Sequence, residues 1–156
     1  MPILPLLLLI AQATPLAAEE PVAPYAVSDA NAGAHAFSGD GMAMAFHGRA
    51  GIDRIVDDLV ATNLADPRIS DIFKGQDLVR LRRVLKEQFC YLLSAGCTYT
   101  GRDMASAHKD MGIQANDMNA LVENLQAAMR REGVAFARQN AFLAKLAPMR
   151  KHIVSR

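Results

Sequence analysis

The chain has no tryptophan, only 6% aromatic residues and two cysteines among 156 residues. A core has to be filled by aliphatic and methionine side chains rather than by stacked rings. Two cysteines are too few for a disulfide scaffold, and they lack the paired spacing of a metal site. No excess of charge is present: the formal net charge is +1. Phosphate binding needs a concentrated basic surface, so no nucleic acid is expected as a partner. The longest apolar run, residues 3–13, falls short of the roughly 20 residues that cross a bilayer. No Lys or Arg precedes Arg49.

That run is followed by Thr14-Pro15-Leu16-Ala17-Ala18 and then by Glu19-Glu20. Its length and small-residue ending read as a signal peptide over residues 1–18, cleaved near Ala18. The implied location is outside the cytoplasm, periplasmic or extracellular, with no stable membrane insertion after cleavage. The missing basic residue leaves open a misassigned start and an apolar arm on a cytoplasmic protein. Residues 19–41 are rich in Ala, Gly and Pro without a sustained period, and read as a flexible linker with a solvated His35.

From residue 42 to residue 156 the pattern is helical. Ile52, Ile55, Val56, Leu59 and Val60 recur at three- and four-residue spacing until Pro67. Asp77 can cap a second helix with Leu78, Leu81, Leu85, Phe89 and Leu92 on one face. A third carries Met118, Leu121, Leu125 and Met129 up to Gly133, and a fourth carries Phe136, Leu143 and Leu146, broken near Pro148. No strand alternation and no repeat occurs, so the domain is predicted to be all-α with four main helices. Residues 96–112 hold only a short element around Met104 to Lys109, between two strongly amphipathic helices. Either the protein's own side chains fill that space, or a flat apolar cofactor does, with His108 as a ligand to its metal.

Four stretches, in order, carry a resemblance: FHGRAGIDRIVDDLVATNLADPRISDIF, LKEQFCYLLSAGCTYTGRDM, SAHKDMGI and NALVENLQAAMRREGVAFARQNAFLAKLAPMRKHIV. Over some 110 residues this set resembles the group I truncated haemoglobins. The likeness implies a two-over-two globin sandwich over residues 42–156 and haem b as cofactor. Haem would be held without covalent attachment, since no CXXCH is present. It further implies that His108 is the proximal iron ligand and that Phe73 packs on the haem face. Leu81, Leu85 and Phe89 would line the distal helix, and Met104 would touch the haem on the proximal side. Thr100 and Arg102 would meet the propionates, although Arg102 reads equally as a solvated surface residue.

Two positions depart from the commonest pattern. Val60 stands where many members carry a tyrosine that hydrogen-bonds the gas, and Leu85 where a glutamine is expected. Gln88 would reach inward only if the register were wrong by one turn. The implied function is reversible binding of a diatomic gas: oxygen, carbon monoxide or nitric oxide. The alternative is a haem redox enzyme, a nitric oxide dioxygenase or peroxidase-like protein, served by an unidentified reductase. Cys90 and Cys97 would stand about 10 Å apart on a straight helix, too far for a disulfide. The reading favours two buried thiols, unless the turn at residues 94–96 brings them together.

Overall fold

The structure, a computed structural model, describes residues 17–155. Nearly all of the apolar leader, and with it the expectation of export, lies outside the described residues. Eight helices follow in order: α1 (Gly41–Ala45), α2 (Gly48–Ala65), α3 (Ser70–Lys74), α4 (Leu78–Leu92), α5 (Met104–Ala107), α6 (Ala115–Arg131), α7 (Phe136–Leu146) and α8 (Arg150–Ile153). Short 3-10 turns occupy Asp29–Ala32 and Ala147–Met149. No strand occurs among the described residues, as the periodicity predicts.

Local chemistry sets the helix ends. The Asp77 carboxylate accepts the Arg80 N–H at the start of α4. Gln114 and Asp117 exchange side-chain and backbone bonds at the start of α6, satisfying donors that a helix start leaves orphaned. Gly133 takes a left-handed φ of 84° just after α6, a conformation a β-carbon would disfavour.

α2 packs against both α4 and α6, and α6 packs against α7, which is the two-over-two arrangement. The inward face of α2 (Ile52, Ile55, Val56, Leu59, Val60) meets Phe89, Leu92, Met129 and Phe142 in one apolar cluster. Phe142 receives Phe46 and Phe89 edge-on, at centroid distances of 5.3 and 4.9 Å. Edge-to-face packing suits the ring quadrupoles, so three phenylalanines give the junction a fixed geometry despite the shortage of aromatics.

Residues 19–41 are a strap rather than a flexible linker. Ala32 is fully buried. Tyr25 Oη donates to the Thr100 carbonyl, Asn31 Nδ2 to the Gly101 carbonyl, and the Phe37 N–H to the Leu92 carbonyl. Lys145 Nζ donates to the His35 carbonyl and sits 4.0 Å from the Phe37 ring centroid. Asp, Asn and Ser can satisfy backbone groups with their own side chains, so such a segment is ordered without showing any hydrophobic period.

Cys90 and Cys97 are joined in a disulfide with a Cα–Cα distance of 5.6 Å, not left as thiols. The helix on which they would stand apart ends at Leu92. Ser94 and Gly96 then take left-handed φ values of 59° and 86°, which fold the chain back over Cys90.

Candidate functional site

His108 forms the C-terminal cap of α5, a helix of only four residues. The Asp103 carboxylate opens this turn by accepting the Ser106 N–H, and left-handed Asp110 and Gly112 follow the histidine. The ring is partly buried, and its Nδ1 lies 2.8 Å from the Met104 carbonyl oxygen. A carbonyl only accepts, so Nδ1 carries the proton and Nε2 keeps its lone pair. Burial pulls the imidazole pKa below the ordinary value, and the Met104 carbonyl opposes that pull only in part. The result is a neutral imidazole of fixed tautomer with one free donor atom, as a metal ligand requires.

Apolar side chains that the protein covers only in part lie on three helices. Leu78, Leu81 and Leu85 are on α4, Leu121 is on α6, and Leu143 and Leu146 are on α7. Phe73, near the end of α3, is likewise half-buried. They contrast with the completed core around Val60, whose side chain is fully covered. Interiors normally close on themselves to crystal-like density, so half-covered leucines on three helices, together with a half-covered imidazole, fit a chain that takes up a flat apolar ligand with one coordination bond.

The other expected residues divide. Phe89 is a core residue in contact with Phe142, and Met104 is buried at the head of α5. Thr100 is engaged within the protein: its N–H and hydroxyl both donate to Glu87, and Arg83 Nη1 donates to its hydroxyl. The Arg102 guanidinium lies 5.3 Å from the centroid of the Tyr25 ring, in the strap. Both residues therefore face partners from this chain. Gln88 is buried with no shift of register: it lies three residues after Leu85, on the same face of α4. Its Nε2 donates to the Ala32 carbonyl, with Met104 Sδ at 3.6 Å and Met149 Sδ at 3.7 Å.

Two surface grooves lie elsewhere. One, of about 540 Å³, runs along the outer face of α4 beside the disulfide, lined by Arg49, Asp53, Arg82 and Lys86 among others. The second, of about 410 Å³, lies between the strap and α5 and includes Arg102. Neither contains His108 or the half-covered leucines. Sequence reasoning missed Tyr25, Asp29 and Asn31, which bind the loop ahead of α5; the available signal was the Ser-Asp-Ala-Asn stretch at residues 28–31, rich in side chains that bond to backbone.

A profile of the bacterial-like globin family matches residues 45–155. A group 1 truncated haemoglobin of Tetrahymena thermophila is 33% identical over 72 residues, which are 46% of this chain and 60% of that protein. One from Nostoc commune is 25% identical over 109 residues, 70% of this chain and 92% of that protein. The crystal structure of truncated haemoglobin from Tetrahymena pyriformis in its Fe(III) form superposes with a TM-score of 0.70 at 26% identity, covering 74% of this chain and 98% of the other.

Proposed function

Because the chain belongs to the bacterial-like globin family, as a group I truncated globin, we propose that it binds a diatomic gas reversibly at haem iron held by His108. The cofactor is haem. When bound, it would supply an iron that His108 would hold and that would take up a small molecule. The observation that carries the reading is the His108 ring itself. Its Nδ1–H is committed to the Met104 carbonyl, and its Nε2 is left as a neutral donor. That hydrogen bond sets the ring orientation and makes the free nitrogen more basic.

Opposite such a ligand, the residues carried by the family likeness are Val60, Leu81 and Leu85. Hydrocarbon side chains exclude water and give no hydrogen bond to a ligand. A donor to oxygen would be charge-assisted and worth about 1.5–3 kcal/mol. Its absence weakens oxygen relative to carbon monoxide or nitric oxide by about ten- to hundredfold. Turnover as a dioxygenase or peroxidase needs polar groups that hold or cleave an oxygen species, and these three side chains offer none.

His108→Ala in the full chain tests the assignment. The variant is expected to lose haem, or to show a ferrous absorption spectrum without the five-coordinate histidine form. Haem retained with an unchanged ferrous spectrum would place the ligand elsewhere.

A further inference from the structure

α5 spans little more than one turn, and an isolated turn of that length is unstable because nucleation costs more than one or two hydrogen bonds return. The direction of the His108 ring must therefore be set by tertiary contacts. α5 itself packs against α8, and the loop that leads into it is held by a segment that precedes the family's matched residues 45–155. Asp29 Oδ1 accepts the Tyr99 N–H at 2.7 Å, Tyr25 donates to Thr100, and Asn31 donates to Gly101. Three successive residues of the loop that leads into α5 are thus tied to the strap. The strap also acts from within: the Ala32 carbonyl holds the Gln88 amide, which rests against the sulfurs of Met104 and Met149. Met104 in turn supplies the carbonyl that orients His108. Gly33 lets the strap seat closely there, since a β-carbon would lie 2.9 Å from Met149 Sδ.

We propose that Asp29 and Gln88 are positioning residues for His108: the strap holds the loop ahead of α5, Gln88 buttresses Met104, and together they set the direction of the imidazole. The proposal rests on His108 as the iron ligand. Gln88 makes no hydrogen bond to the ring; its amide meets the Ala32 carbonyl and the sulfurs of Met104 and Met149.

Three variants of the full chain test it: Gln88→Met, which keeps bulk and removes the donor; Asp29→Ala, which removes the acceptor; and Asp29→Asn, which keeps an acceptor oxygen. Two readouts are taken. One is the iron–histidine stretching band of the ferrous haem-loaded protein. The other is amide exchange at Ala107 and His108 in the haem-free protein, whose N–H groups donate to Asp103 and Met104. Gln88→Met and Asp29→Ala are expected to shift or broaden the band and to speed exchange about tenfold, the scale of one lost buried hydrogen bond. Asp29→Asn should restore both towards the parent. An unchanged band and unchanged exchange in Gln88→Met and Asp29→Ala would overturn the proposal. So would equal effects from Asp29→Asn and Asp29→Ala. If the parent has no iron–histidine band, the ligand assignment fails, and unchanged exchange then decides separately against the buttress.

Discussion

At the scale of single residues, the distal side invites a substitution. Val60 is fully buried on α2, at the position where the family likeness puts a tyrosine whose hydroxyl bonds the gas. Val60→Tyr is expected to slow oxygen release by one to two orders of magnitude, the equivalent of a bond of about 1.5–3 kcal/mol, and to change carbon monoxide release much less. Stopped-flow displacement on the two proteins measures both. Gln88 is not a rival donor, because its amide nitrogen is committed to the Ala32 carbonyl and the sulfurs of Met104 and Met149. His108 carries a second expectation. Its folded pKa lies below the ordinary 6.5, so the unfolded chain takes up the proton first as acid is added. The stability that neutral His108 contributes is therefore complete above pH 6.5 and is lost as the pH falls below it towards the folded value. On the proposed assignment, the proton and the iron compete for the same Nε2 lone pair. Haem transfer to an excess of a haem-free acceptor globin should quicken below pH 6.5, by at most about tenfold per pH unit for one proton. A flat profile down to pH 5 would remove His108 from the titration.

Among the elements, the closed ring between α4 and its following turn has a measurable worth. A disulfide spanning seven residues restricts the unfolded chain by roughly 2–3 kcal/mol. For a domain of this size that amounts to roughly 5–10 °C in melting temperature. Melting with and without a thiol reductant is expected to show that difference, and a Cys90→Ala/Cys97→Ala double variant should melt at the lower temperature whether or not reductant is added. A reductant effect of similar size in the double variant would show that something other than this bond is responsible. The ring also shows where legibility in the sequence stopped. Ile52 to Val60 and Leu78 to Leu92 announce their helices because one face of each is buried at the helical period. His108 stands out because it precedes a glycine within an ordered series of globin-like segments. Cys97 could not be placed from spacing, since its approach to Cys90 depends on two left-handed residues, one of them a serine. The strap was illegible for a related reason. Its order comes from side-chain bonds to a loop about 70 residues away, which leave no local period. Thr100 and Arg102 were legible only by likeness, and the partners that occupy them, Glu87 and Tyr25, belong to this chain's own sequence.

For the whole molecule, the strap fixes what a processed chain must retain. Glu19 pairs with Arg83 and Arg80, and the Glu20 N–H donates to Asp77 at the start of α4. Cleavage near Ala18 would leave all of these contacts in place, whereas cleavage ten residues later would remove several. Mass spectrometry of the native protein is expected to find a chain beginning near Glu19; an intact Met1 chain recovered from the cytosol would refute export. The same strap imposes an order of events on the making of the protein. Its residues are translated first, yet the carbonyl of His35 waits for Lys145, 110 residues later, and Gly33 waits for Met149. Contacts of such long separation close late, after the local helices they lie across. A nascent chain therefore assembles its helices around α2 while its amino-terminal portion still lacks partners, and on the positioning proposed above His108 gains its final orientation only when that portion is drawn down. The end of the chain made first is the last to be set.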